Sequence, residues 1–375
     1  YIHLKLEEDD SALAKSLTGY PGELDVVKCD SLEEQVGIWQ RELATEVLES
    51  AYNEKCIDLT DNCSQHGTGF KPEGKCQVPP GSGLTELALE IDRPELYQAY
   101  LGSSLTEFSK KYARKCIGIC GSIILEHGVP DRLYIGNQFC HLLFPERKLL
   151  FEIIEKAAAE QVKITLVFSY IREYMLDYIT ELLDEINQWC EEKRQAVEVV
   201  VNDWGMASLV KKDRRNLIPS LGILLNKRKK DPRISFKKGE QKWFERNSLN
   251  AGFYRDFLEK EYGIQRFEWE SCGYEQLIPP GKNSLHIPFY QTNTSQYCPL
   301  GTVCETGERG RQKFAKKCPG YCAEYAFLYP EHLHMLGRYN SLFGIDMRIL
   351  KEEEMLENYI QNGVDRVVIS DAAGW

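Results

Sequence analysis

From residue 131 onward the chain alternates short β-branched runs with longer amphipathic ones, and this alternation most constrains its fold. Residues 132–136, Arg-Leu-Tyr-Ile-Gly, read as a strand. Residues 163–169, Lys-Ile-Thr-Leu-Val-Phe-Ser, form a continuous β-branched run, as in a strand buried on both faces. Residues 196–201 form a third run that ends at Asn202-Asp203-Trp204-Gly205. Further strands are expected at 217–225, 265–270, 285–290 and 366–370, with helices at 146–160, 171–194, 249–262 and 351–362. Strands that alternate with helices pair in parallel through crossovers. The span 131–371 approaches the ~250 residues of an eightfold barrel. The expected class is therefore α/β, a (β/α)₈ TIM-like barrel over residues 130–371, with a doubly wound open sheet as the alternative. No G-x-G-x-x-G follows a first strand, which weakens the dinucleotide-binding form of that alternative.

Residues 1–125 behave differently and are expected to form a mostly helical, cysteine-containing extension. Residues 31–54 read as an amphipathic helix with Ser31 as N-cap and Glu34 completing a capping box. A loop rich in Gly, Pro and Cys follows over 56–83, and residues 96–115 read as helical again. Cys56, Cys63 and Cys76 could form a metal site with Cys29, Cys116, Cys120 or His66, or be ordinary thiols in a surface loop. Cys116 and Cys120 lie among isoleucines, which favours a core position; Cys190 and Cys272 read as structural.

Composition limits the setting. The formal charge of −11 argues against a general nucleic-acid binder. No apolar run reaches the ~20 residues that span a membrane. The chain opens at Tyr1 without a basic, apolar leader, so its true N-terminus is expected to lie upstream. Thirteen cysteines in a large chain of regular segments fit reduced thiols in the cytoplasm better than a disulfide scaffold.

Cys298, Cys304, Cys318 and Cys322 form the pattern C-x5-C-x13-C-x3-C, with Gly and Pro turns at both ends. Four thiols so spaced can converge on one centre. Soft thiolates suit an iron–sulfur cluster, or zinc in a closed tetrahedral site. The spacing is looser than the paired C-x2-C knuckles of structural zinc.

Three features together, Tyr134-Ile-Gly-Asn-Gln-Phe-Cys140, the strand ending Asn202-Asp203-Trp204-Gly205, and the late cysteines, resemble the collagenase-like peptidase family, closest to its UbiV-type branch. The resemblance covers about residues 130–371. It implies a 4Fe–4S cluster held by Cys140, Cys298, Cys318 and Cys322 at the C-terminal ends of barrel strands. Cys304 competes with Cys298, because its spacing to Cys318 is nearer the family's. The resemblance further implies an oxygen-independent hydroxylase or related redox modification of a small molecule or an RNA base. The alternatives are a non-catalytic, cluster-bearing subunit paired with a UbiU-type subunit, or a peptidase.

Other constellations are less specific. Asp203 and Asn202, at a strand's C-terminal end, are candidates for acid–base work and substrate contact; the simpler reading makes them a helix cap. Arg338, in Arg338-Tyr339-Asn340, would offer a cation at the barrel mouth. Lys227-Arg-Lys-Lys230, Arg233, Lys237, Lys238, Lys242 and Arg246 surround Phe236, Trp243 and Phe244, a composition that can follow a phosphate backbone but more simply forms a solvated loop. No Ser/His/Asp order or H-E-x-x-H motif supports hydrolysis.

Overall fold

The computed structural model describes residues 25–28, 86–228, 230, 242–308, 317–329 and 333–370. Eight strands close into a parallel barrel. In chain order they are β1 (Glu86–Ile91), β2 (Arg132–Gly136), β3 (Lys163–Val167), β4 (Val197–Val201), β5 (Leu217–Leu221), β6 (Arg266–Glu270), β7 (Lys282–Ile287) and β8 (Arg366–Ile369). Each pairs with its neighbour in sequence, and β8 closes on β1 with Arg366 opposite Glu86 and Ile369 opposite Leu89.

The period-two geometry of a strand sorts its side chains into two cores. Leu87, Leu89 and Ile91 of β1 join Leu133 and Ile135 of β2 in the large core beneath the helices. Ala88, Tyr134, Val167, Val200 and Val368 form a separate small cluster inside the barrel. Helix Leu176–Lys193 shows how the outer layer is built, burying Ile179, Leu182, Leu183, Ile186, Trp189 and Cys190 on one face. At β2, Gly136 adopts φ +116, and a Cβ there would meet the Val167 carbonyl at 2.3 Å, so only glycine fits.

Two expectations are corrected. The barrel takes its first strand from residues 86–91, inside the segment assigned to the helical extension. Glu-Leu-Ala-Leu-Glu-Ile is composed largely of helix formers, and pairing between β8 and β2 overrides that preference. The helix expected over 96–115 is two helices, Pro94–Leu101 and Leu105–Lys115. They are separated at Gly102, and the second starts on a capping box in which Ser104 and Glu107 satisfy each other's backbone amides. The helix and the capping box expected over 31–54 lie outside the described residues, as do Cys29, Cys56, Cys63, His66 and Cys76.

A second, antiparallel sheet was not anticipated. Its strand order is Asp25–Lys28, Tyr325–Leu328, Met335–Arg338, Ser341–Ile345 and Phe289–Thr294. Phe289–Thr294 leaves the barrel directly after β7, so the strand expected over 285–290 divides at Pro288 between two sheets. Proline has no N–H for a ladder, which suits a point where the chain changes sheets. The hairpin between Met335–Arg338 and Ser341–Ile345 turns at Tyr339 and Asn340, Arg338 pairing with Ser341. No helix among the described residues is long and apolar enough to cross a membrane.

Candidate active site at the barrel mouth

Charged side chains occupy alternate positions of several barrel strands. At one end of the lumen, Arg366 donates from Nε to Glu86 at 2.6 Å and from both terminal nitrogens to Glu198 at 2.6 and 3.0 Å. Arg132 donates from Nε to Glu86 at 3.1 Å, and Arg266 forms a bidentate pair with Asp365 at 2.9 Å. Burial works against the Glu198 carboxylate, but Arg366, Arg132 and Arg266 hold its pKa down at about 2. Glu86 is held far below its ordinary value by Arg132, Arg366 and Lys163, again against burial. This layer sits at the N-terminal strand ends, where barrels place stability rather than chemistry.

Midway along the lumen, Glu268 of β6 is fully buried. It accepts from Ser220 at 2.6 Å, from Tyr134 at 3.2 Å and from His286 Nε2 of β7 at 3.0 Å. Burial would lower the His286 pKa, but the hydrogen bond to Glu268 and the charges of Glu90, Glu268 and Glu270 raise it. Burial raises Glu90, with Asp92 adding to it and His286 opposing. Two carboxyls of one barrel are thereby pushed in opposite directions, since Glu268 is lowered by the same His286.

A narrow pocket of about 30 Å³ opens above this layer, lined by Glu90, Gln138, Glu270, His286, Arg338 and Ser370. Phe139, Phe289, Phe343 and Ile223 supply its apolar walls. The polar lining comes mainly from the C-terminal ends of β1, β6, β7 and β8, the face on which barrels build active sites. Behind the lining, Lys230 forms a buried ion pair with Glu270 and also donates to Gln291 at 3.1 Å. Arg228 donates to the Glu270 carbonyl at 2.6 Å. These two cations of the basic run therefore turn inward, against the expectation of a solvated loop, because the buried Glu270 carboxylate and carbonyl need partners. Residues 229 and 231–241 of that run lie outside the described residues.

The sequence-derived site residues divide sharply. Arg338 lines the pocket, 2% exposed, and donates to the Cys322 carbonyl at 3.3 Å. Asp203 does not line it. Its two oxygens accept from Met206 N at 2.8 Å and Ile171 N at 2.6 Å, which makes it the cap of helix Trp204–Lys211 and a tie between loops. Asn202 bridges the Phe168 carbonyl and Leu224 N–H at 2.8 and 2.9 Å. Both satisfy backbone groups, and the titratable carboxyls and imidazole that line the pocket are those of Glu90, Asp92, Glu270 and His286. Glu90, Gln138, Glu268, Glu270, His286 and Ser370 escaped the sequence reading. The available signal was Arg266-Phe-Glu-Trp-Glu270, where charges at every second strand position mean a polar lumen.

Four of the five candidate thiols share one neighbourhood beside this pocket. Burial pushes the Cys140 thiol up to about 12, with Cys298 and Cys318 adding to it. Burial likewise raises Cys322, with Cys140, Cys298 and Cys318 contributing and Arg338 opposing. Cys304, on helix Pro299–Thr306, acts on Cys298. Asn340 binds the two distant loops together, donating to the Phe139 carbonyl at 2.9 Å and to the Ser295 carbonyl at 2.7 Å. Cys298 Sγ accepts from Gly301 N–H at 3.3 Å and donates to the Tyr339 carbonyl at 3.2 Å; Cys318 Sγ accepts from Gly320 N–H at 3.4 Å. None of the nine described cysteines is joined in a disulfide to another described residue; Cys116 and Cys120 are buried as expected, and Cys190 and Cys272 are buried too. Among the described residues, no three His, Cys, Asp or Glu side chains converge as ligands of a single ion do.

Compared with protein-family models, curated proteins and solved structures, the chain has no match. The resemblance to the collagenase-like peptidase family gains no support there; what stands is the eight-stranded parallel barrel.

Proposed function

We propose that the chain is a barrel enzyme that holds a 4Fe–4S cluster through Cys140, Cys298, Cys318 and Cys322 and carries out an oxygen-independent redox modification of a small molecule. The observation that carries this reading is the shared neighbourhood of Cys140 with thiols from a loop some 158 residues later, beside the pocket. Zinc would draw four thiolates to one point at about 2.3 Å each. A cluster lets each thiolate bind a different iron and so accepts a wider spread. Amide donors to Cys298 and Cys318 suit sulfur that carries negative charge.

When bound, the cluster would supply electrons, or an iron that acts as a Lewis acid, beside the pocket. The chain's own residues do the rest. Arg338 spans pocket and thiol loop, the phenylalanine walls exclude water, and Glu90 and His286 hold protons at the floor. The family resemblance extends the proposal to a UbiU-type partner subunit, and keeps an RNA base as the alternative substrate.

Anaerobic purification followed by iron and sulfide analysis tests this. Wild type and Cys304→Ala should carry iron and sulfide, while Ala at Cys140, Cys298, Cys318 or Cys322 should lose most of both. Iron-free wild-type protein would sink the cluster. Iron loss in Cys304→Ala with retention in Cys298→Ala would reassign the ligand.

A further inference from the structure

Three consecutive residues, Arg338, Tyr339 and Asn340, touch the segments that carry Cys140, Cys298 and Cys322, and the backbone between them is strained. Arg338 pairs with Ser341 across the hairpin, so Tyr339 and Asn340 form a two-residue turn. Tyr339 takes a φ of 58°. A two-residue hairpin turn asks for positive φ at its first residue, and glycine is the ordinary occupant. A bulky residue in that conformation persists only where its surroundings hold it.

The barrel mouth holds this one. The buried Tyr339 donates its hydroxyl proton to Asp92, just past β1, at 2.8 Å. Its ring meets Phe343 edge-on, with centroids 6.3 Å apart. The Tyr339 carbonyl, fixed between these anchors and the turn, accepts from Cys298 Sγ at 3.2 Å.

Asn340, also buried, joins the loops. Its Nδ2 lies 2.9 Å from the Phe139 carbonyl, 2.7 Å from the Ser295 carbonyl and 3.0 Å from the Tyr170 hydroxyl. Carbonyl oxygens only accept, so the amide nitrogen and not its oxygen must face them. Phe139 directly precedes Cys140, and Ser295 stands shortly before Cys298. The Asn340 carbonyl in turn accepts from Ser295 N–H at 2.9 Å. On the other flank of the turn, Arg338 donates from Nε to the Cys322 carbonyl at 3.3 Å.

We propose that the turn Tyr339-Asn340 is the positioning element of the thiol site, Asn340 tying the Cys140 loop to the Cys298 loop and Tyr339 fixing the turn to the barrel. This rests on the reading of these thiols as one site. Neither residue is a ligand in this role; each sets where sulfur atoms stand. Without the Asn340 amide, two carbonyls lose their donor and the loops lose their common tie.

The test uses the anaerobically purified full chain and two readouts. One is the iron and sulfide retained per chain after a fixed exposure to a chelator. The other is the yield of a dibromobimane bridge between Cys140 and a late cysteine in the chelator-treated protein, located by peptide mapping, which reads thiol proximity without metal. Asn340→Leu should lower both about tenfold or more. Tyr339→Phe keeps the ring and the turn but not the tie to Asp92, and should lower both roughly threefold. Should Asn340→Leu fail to fold, Tyr339→Phe carries the same decision. Glu198→Gln, at the opposite end of the lumen, is the destabilised control and should match wild type in both. Wild-type values in the turn variants, or an equal fall in Glu198→Gln, would overturn the proposal. Wild-type protein that forms the bridge but holds no iron would sink the cluster and leave the positioning role standing. Wild-type protein with neither iron nor bridge would sink both.

Discussion

Glu198→Gln tests the polar lumen most directly. Glu198 accepts two hydrogen bonds from Arg366 and lies near Arg132 and Arg266. A carboxyl lowered from 4.5 to about 2 contributes on the order of 3 kcal/mol to stability, at ~1.36 kcal/mol per pH unit. The sign follows from the direction of the lowering. The contribution is complete above pH 4.5, the unfolded carboxyl's ordinary value, and disappears as pH falls toward 2. Glutamine keeps the shape but not the charge, and its NH2 group would set a donor against one of the two guanidinium N–H groups that the carboxylate accepts. The variant should lose roughly 3 kcal/mol at pH 7 in urea unfolding. Its stability should also fall less steeply between pH 4.5 and 2, because Glu86 alone keeps a strongly lowered carboxyl beside Arg366. Parallel pH–stability curves for wild type and variant, offset by less than about 1 kcal/mol, would refute the assignment of this layer to stability.

Two further substitutions separate structural from functional groups. Asp203→Ala should cost about 1–2 kcal/mol through the lost cap, read by thermal melts. Lys230→Met leaves Glu270 buried without its cation and should cost about 3–5 kcal/mol in urea unfolding. The double variant Lys230→Met, Glu270→Gln should recover much of that loss; no recovery would refute the pairing.

The hydrophobic pattern made most barrel strands and helices legible, because a strand buried on both faces and an amphipathic helix leave different periods. β2, β3 and β4, and the helices Arg147–Ala159 and Leu176–Lys193, lie where that pattern places them, with ends shifted by a few residues. β1 escaped because Glu, Leu and Ala carry a helical preference that only the two flanking strands outweigh. The antiparallel sheet escaped because a single proline diverts a run that otherwise reads as one strand.

The chain's residues alone pointed to the parallel barrel and placed Cys140 just after one of its strands, whereas the late cysteines lie beyond Phe289–Thr294 of the second sheet. Only the tertiary structure decided that Arg338 faces the pocket. The same holds for Asp203 and Asn202, which bind backbone. The physical reason is that local spacing sets which face a side chain takes, whereas the partner it meets there comes from a segment far away in sequence. Glu268 and His286 are 18 residues apart and Glu198 and Arg366 are 168 apart, yet each pair is joined by a hydrogen bond of 3.0 Å or less across the lumen wall.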